Sequence, residues 1–290
     1  MSQKSLFYEE PKSINPQGLI IASLIGVALA ILLAFVYIIL QVSIPLIYFA
    51  VLVTFGTGIL LSFCTRFIAK FTHNRNKKSQ FIIALIIGIL LNYFQWVAYL
   101  LYVSKGQIPA IGEYLLNWGL IFSVNDFWGA IMELNSIGLW SVFGIEFKGG
   151  LLSIIWVIEF LLILLVPIIY IRKSKIFPYS EKYGKWYPKF TLEEKFKIIH
   201  GAPKIIESLK QDVYKTIDEL GLGKGDRFTK IYLYYLEDEQ NQYIDFERVI
   251  IDREGKEDKD FIIENFRIEK ETAKKILQTF SNKKEQLEVI

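Results

Sequence analysis

The chain has 290 residues, 52% of them apolar and 22% charged, with a formal net charge of +3. So high an apolar fraction beside that much charge excludes an evenly mixed soluble chain, and the near balance of charge gives no electrostatic reason to expect nucleic acid. One cysteine, Cys64, and two histidines, His73 and His200, exclude a disulfide framework, a cysteine zinc cluster and a histidine-rich metal site. No metal and no cofactor is expected, although carboxylates alone could hold Mg²⁺ or Ca²⁺.

The charge is segregated, because 24 of the 33 Lys/Arg and 23 of the 30 Asp/Glu lie from Arg172 onward. Residues 1–18 read as a cytoplasmic N-terminal segment, with Lys4 and Lys12 beside Glu9 and Glu10. Residues 19–40 carry no charge, and about 20 apolar residues suffice to cross a hydrocarbon core. No small-x-small cleavage pattern follows, so this first span is expected to be an uncleaved helix. Pro45 suits the first turn of a second span over 44–64, reached by a very short connection. The third and fourth spans are expected at 81–103 and 150–171, which makes 19–172 a four-span domain. The loop between spans two and three holds Arg66, Lys70, Arg75, Lys77 and Lys78 without an acid, and the fourth span ends in Arg172, Lys173 and Lys175. The positive-inside rule then places both termini in the cytoplasm. The lipid bilayer is the first expected partner, and a multispan chain of this kind points to a bacterial cytoplasmic (inner) membrane.

The outer segment 104–149 is rich in aromatic rings, among them Trp118, Trp128 and Trp140. Short helices near 111–122 and 126–134 are expected to lie at the outer headgroup level, where amphipathic rings are favoured. A re-entrant or pore-lining path is the functional alternative.

Glu159 falls near mid-bilayer, and residue counting puts Asn92, Gln95, Thr54 and Thr57 at a similar depth. These five residues form a candidate intramembrane polar layer. An ionised carboxylate is costly there, which favours either a neutral acid bonded to Asn92 or Gln95 or an ion-bound carboxylate. The first arrangement would fix helix register, and the second would be a proton or cation site. Small residues recur every four positions: Ala22, Gly26 and Ala30 in span one, Thr54, Gly58 and Ser62 in span two, Ala84 and Gly88 in span three. Such faces permit close helix packing, within one chain or between chains.

After a juxtamembrane linker over 173–189, residues 190–290 read as a cytoplasmic α+β domain. The capping-box spacing of Thr191 and Glu194 predicts a helix ending near Gly201. Ile205, Ile206, Leu209, Val213, Ile217 and Leu220 then predict a second helix stopped by Gly221. Alternation around Ile231 and Leu233, a polar turn over 237–242 and the apolar run over 243–251 predict a β-hairpin. Residues 261–268 supply a third strand, Ala273, Ile276, Leu277 and Phe280 line a closing helix, and 283–290 form a frayed tail. Lys224 and Arg227 in a glycine-rich stretch are candidate anion ligands, but the order helix, loop, strand is opposite to that of a phosphate loop. Asp245 and Glu247 share a strand face, where nearby Arg248 and Arg253 suggest a solvated, charge-balanced surface.

The expected fold is therefore a membrane all-α four-helix bundle plus a small cytoplasmic α+β domain of helices, a three-stranded antiparallel meander and a helix. No nucleophile, base and orienting acid can be assembled by spacing, so a catalytic role is not expected. The expected function is a non-enzymatic membrane subunit, a homo-oligomer or part of a larger complex, whose cytoplasmic domain binds a partner or ligand. The alternative is an oligomeric channel, transporter or membrane-perturbing effector that uses Glu159.

Overall fold

A computed structural model of the chain describes residues 5–44, 47–117, 124–142 and 145–280. The chain divides into two compact units, a helical one over 11–175 and an α+β one made of 1–10 together with 176–290.

Among the described residues of the helical unit, four helices are long and apolar enough to cross a membrane: α1 (Pro16–Ser43), α2 (Ile47–Phe71), α3 (Lys77–Lys105) and, after the segment that follows α3, α6 (Gly149–Lys173). Each of the four expected spans lies within one of these helices, apart from the start of span two. Pro45, expected at the first turn of span two, lies outside the described residues. The helices extend past the apolar stretches because their ends are capped. Asn15 accepts from the Gly18 amide and Asn76 from the Lys78 amide, while Gly106 closes α3 at a φ of 69°. At the end of the bundle that holds Asn76, Lys77 donates to the Arg172 carbonyl, one of the orphan carbonyls of α6, and Arg66 to the Lys175 carbonyl just beyond that helix.

α3 is the central helix, packing against α1, α2 and α6. Close approach is possible because the facing positions are small. Ala22, Gly26, Ala30 and Ala34 of α1 are all buried, and a Cβ on Gly26 would fall 2.6 Å from the Ile87 side chain. A Cβ on Gly88 would fall 2.6 Å from Leu164, and one on Gly58 would lie 3.2 Å from the Leu162 carbonyl oxygen and 3.0 Å from Val166 Cβ. Ala84 and Ser62 are buried too, Ser62 donating to the Gly58 carbonyl. The small-residue faces thus pack within one chain. The large apolar side chains left outside, such as Leu24, Leu52, Phe55, Phe67, Val157 and Leu161, point away from the bundle.

Between α3 and α6 lie α4 (Ile111–Leu116), α5 (Val124–Ile137) and a hairpin of β1 (Trp140–Val142) and β2 (Ile145–Phe147). α4 is shorter than the helix expected over 111–122. Tyr114 is buried and donates to the Ile31 carbonyl, whereas Leu116, Trp128, Met132 and Ile137 are exposed.

The α+β unit begins with a small hairpin of β3 (Tyr179–Ser180) and β4 (Lys185–Trp186), followed by β5 (Lys189–Thr191), α7 (Ala202–Gln211), α8 (Val213–Leu220), β6 (Arg227–Tyr234), β7 (Asn241–Ile251), β8 (Glu257–Glu269) and α9 (Lys270–Phe280). The main sheet is antiparallel in the order β5-β6-β7-β8, so it has four strands where the sequence suggests three. Its core joins Leu192, Phe196, Ile231, Leu233, Ile244, Phe246, Ile263 and Ile268 to Ile205, Leu209, Ile217, Ala273 and Ile276 of the helices.

Three sequence expectations are corrected here. Thr191 does not cap a helix: it ends β5 opposite Tyr232, and the following residues run extended because Phe196 exchanges backbone hydrogen bonds with Thr229 and buries its ring. The long helix through Leu220 is two helices. Asp212 leaves helical geometry, at φ −156° and ψ 110°, and caps α8 by accepting from the Lys215 amide. Residues 176–187, expected as a linker, belong to the α+β unit, with Tyr179, Ser180 and Tyr187 buried. The tail over 283–290 lies outside the described residues.

One contact has no counterpart in the sequence reading. Residues 6–8 run along the free edge of β8: the Tyr8 amide donates to the Asn265 carbonyl, the Arg267 amide donates to the Leu6 carbonyl, and the Phe7 and Phe266 rings meet edge to face. The edge of the sheet is thereby covered, and the chain passes between the two units at both ends of the helical one.

The glycine contacts predict a contrast in stability. Gly58→Leu must push Leu162 and Val166 aside and is expected to destabilise the protein by about 1–3 kcal/mol. Gly56→Leu, at an exposed position with open space around its Cβ, is expected to leave the unfolding temperature unchanged or raise it slightly. Thermal unfolding of both variants in nanodiscs checks this.

Candidate functional site

The polar groups of the helical unit are aligned by the helix register. α3 and α6 run antiparallel, since Gly88 faces Leu164 while Trp96 meets Trp156 at 4.8 Å between ring centroids. Asn92, one turn from both Gly88 and Trp96, therefore sits at the level of Glu159. α2 and α6 run parallel, since Gly58 faces Leu162 and Val166 while Phe63 meets Tyr170. Thr54, one turn before Gly58, consequently lies near the same level. Leu152 and Ile163, on either side of Glu159 along its own face, are fully buried. Glu159 itself is half-buried, between exposed Val157 and Ile158 on one side in the chain and exposed Phe160 on the other.

The hydrogen bonds of this layer run in two oriented chains. On α1 and α2, Gln41 Nε2 donates to Tyr37 Oη at 2.7 Å, Tyr37 Oη and Thr54 Oγ1 are bonded at 2.9 Å, and Thr54 donates to the Ala50 carbonyl at 2.9 Å. Because Thr54 gives its only proton to a carbonyl, the Tyr37 hydroxyl must be the donor in the middle bond. On α3, Asn92 Nδ2 donates to the Gly88 carbonyl at 2.9 Å and its Oδ1 accepts from Gln95 Nε2 at 3.2 Å. Gln95 Oε1 is buried and has no partner. Glu159 makes no hydrogen bond to any described residue, so the expected bond to Asn92 or Gln95 is not formed. Thr57 is half-buried on α2.

Tyr37, Gln41 and Tyr99 are the members that sequence reasoning missed. The Tyr37 and Tyr99 hydroxyls lie within electrostatic range of the Glu159 carboxylate. Tyrosine reads as apolar in a hydropathy scan, and Gln41 falls in what looks like a loop; the one available signal is that Tyr37 and Gln41 are spaced i, i+4 on one helix face.

Among the described residues, no group of three His, Cys, Asp or Glu side chains gathers to hold a metal. Trp128 is exposed and rests edge-on against Phe127. Trp118 lies outside the described residues, and Trp140 occupies β1.

In the α+β unit, the face of the main sheet opposite the helices is polar and aromatic. Asp245 and Glu247, expected on a solvated surface, are 0% and 6% exposed. Each has a defined role: Tyr232 Oη donates to Glu247 Oε2 at 2.6 Å, and the Asn265 amide donates to Asp245 Oδ1 at 2.7 Å. Asn265 adopts a φ of 53° at the β-bulge between β7 and β8, and its side-chain amide donates to the Ile176 carbonyl. The Lys189 ammonium stands 3.7 Å from the Tyr232 ring centre, a cation–π contact. Burial first, and then the bond to Glu247, hold the Tyr232 phenol above its ordinary range, so it stays a donor throughout the physiological pH range. Tyr8, Tyr187, Tyr234 and Tyr243 extend the aromatic surface on the same face.

Lys224 and Arg227 are not brought into a cradle. Both are exposed, with Asp226 between them in the chain, and the Gly223 amide donates to the Lys195 carbonyl rather than facing an open loop. The glycine is required by that contact, because a Cβ at position 223 would fall 2.4 Å from the Phe196 carbonyl oxygen.

No protein-family model matches the chain, and no curated protein or solved structure is significantly similar to it. Any functional reading therefore rests on the geometry alone.

The sheet face gives a direct test of its hydrogen bonding. Tyr232→Phe keeps the ring against Lys189 but removes the donor to a buried carboxylate, and is expected to cost about 1–3 kcal/mol. Chemical denaturation of the full chain in nanodiscs, compared with wild type, measures it.

Proposed function

We propose that the chain is a four-span, non-enzymatic subunit of a bacterial cytoplasmic membrane, with both ends inside, whose α+β domain binds a partner protein or a second copy of the chain. The observation that carries this reading is the pairing of residues 6–8 with β8. A segment before α1 and a segment after α6 build one folded unit, so the chain must enter and leave the bundle on one side. Four crossings satisfy that requirement. The basic residues between α2 and α3 and after α6 favour the cytoplasm as that side. Attachment at residues 10–11 and again at 175–176 links the domain to two of the four long helices, which suits a module that passes binding events to a membrane assembly. The exposed apolar side chains of α4 and α5, such as Leu116 and Met132, favour an outer face that meets lipid headgroups or another subunit.

A second reading, an oligomeric channel or transporter, is favoured by the unbonded Glu159 in the polar layer.

The topology predicts that, in a Cys64→Ser background, cysteines placed at Ser5 and Glu254 are labelled only from the cytoplasmic side and one at Glu133 only from the outside. The subunit reading predicts that protein extracted from its native membrane with its lipids runs as a stoichiometric complex or a defined oligomer. A monomer that co-purifies with nothing overturns it, and labelling of Ser5 and Glu254 from opposite sides overturns the topology.

A further inference from the structure

Four helix ends meet at one end of the helical unit. A Cβ on Gly18 would fall 2.4 Å from the Thr72 carbonyl oxygen, and Asn76 Nδ2 donates to the Pro11 carbonyl at 2.8 Å, so α1 begins where α2 ends and α3 begins. Lys77 Nζ donates to the Arg172 carbonyl at 3.1 Å and Arg66 Nη2 to the Lys175 carbonyl at 3.0 Å, which brings the last turn of α6 to the same place. Two helix N-termini and two C-termini offset one another there, so the side chains set the charge of this end. Nine of the eleven Lys/Arg of residues 11–175 belong to it, from Lys12 to Lys175, and none of the five acids does. Glu113 pairs with Lys105 at the far end of α3, Asp126 and Glu133 are carried by α5, and Glu146 precedes α6. Glu159 lies thirteen residues before Arg172, about 20 Å along α6. Glu9 and Glu10, which adjoin this end in the chain, offset two of the nine charges at most.

On α2 the charge stands beside an apolar row. Arg66 and Lys70 are one turn apart on one face and half-buried, a like-charge pair that an isolated helix disfavours. Phe63, Phe67 and Phe71 form the neighbouring row at the same spacing and are 55%, 72% and 66% exposed, with Tyr170 of α6 edge-on to Phe63 at 5.4 Å. We propose that Arg66 and Lys70 bind the headgroup phosphate of an anionic phospholipid, within the positive field of Lys77, Arg172 and Lys173, and that its acyl chain runs along Phe63 and Phe67. A guanidinium gives a phosphate fixed donors and an ammonium gives it a point charge. A water-soluble polyanion would answer the charge but leave the phenyl rings in water, whereas a lipid answers both. This site rests on the reading that the four long helices cross a bilayer, which sets these helix ends at headgroup depth. It requires neither a partner protein nor a given side of the membrane.

The test uses the full chain in neutral dodecyl maltoside micelles, unfolded thermally while phosphatidylglycerol, phosphatidylcholine, inorganic phosphate or glycerophosphate is added at constant ionic strength. A ligand of the folded state raises the unfolding temperature and then saturates. Phosphatidylglycerol is expected to half-saturate at a concentration about thirtyfold below phosphatidylcholine, the equivalent of about 2 kcal/mol for two charges near a membrane surface. Inorganic phosphate and glycerophosphate are expected to leave the unfolding temperature unchanged. The double variant Arg66→Gln/Lys70→Gln is expected to lose the preference, and Lys204→Gln/Lys274→Gln, at exposed lysines of the α+β unit, to retain it. Should the first variant fail to fold, wild type in nanodiscs of mixed phosphatidylglycerol and phosphatidylcholine supplies a second readout: the lipid retained on extraction into detergent is expected to be enriched in phosphatidylglycerol. Equal responses to the two lipids, a preference that survives Arg66→Gln/Lys70→Gln, or retained lipid of the disc composition each overturn the site. A rise with inorganic phosphate equal to that with phosphatidylglycerol assigns the charges to free phosphate and overturns the lipid. Failure of the chain to enter nanodiscs at all instead overturns the membrane-spanning reading.

Discussion

The arrangement of the helical unit depends on how closely α3 approaches its neighbours. Where Gly26 and Gly88 present no side chain, Ile87 and Leu164 move into the space, and the helices lock at one axial position. Between helices in a bilayer core, where no water rewards apolar burial, van der Waals contact of this kind is a main source of cohesion. The same contacts fix register, and register sets which polar residues face each other. Asn92, Thr54 and Glu159 come to one level because Gly88, Gly58 and Trp96 fix three helices against one another, not through any attraction among the polar groups themselves.

The buried acids of the sheet are paired, whereas Glu159 of the helical unit is not. In the α+β unit each buried acid has a donor: Glu247 takes the Tyr232 hydroxyl and Asp245 takes the amide of a residue at a β-bulge. Such a face is rigid, since moving any strand would strand a carboxylate in the interior. In the helical unit Gln95 Oε1 is buried without a partner, and Glu159 makes no hydrogen bond to a described residue.

Edge protection joins the units through the chain itself. β8 would present a free row of amides and carbonyls, and residues 6–8 occupy it. The N-terminal segment before the first span thus bridges to a strand more than 200 positions later in the chain.

The four long helices, the β6–β7–β8 strand order, α9 and the segregation of charge were legible in the sequence, because each rests on a local period, a capping residue or a run of one residue class. Glu159 was legible as well, since a lone carboxylate in an apolar span stands out against its neighbours. What lay beyond the sequence were contacts between distant segments. The capping box at Thr191 and Glu194 gave way to an extended path because Phe196 gains two backbone bonds and a buried position against Thr229, a tertiary gain larger than a local cap. Asp245 and Glu247 alternate like surface residues, and only the packing of Tyr232 and Asn265 onto them makes that face an interior. Tyr37 and Gln41 are ordinary members of an apolar helix until Thr54 of the next helix is placed beside them. Local pattern determined which segments are helix or strand; the pairing of hydrogen-bond donors with acceptors across the fold decided which polar groups are satisfied and which remain open.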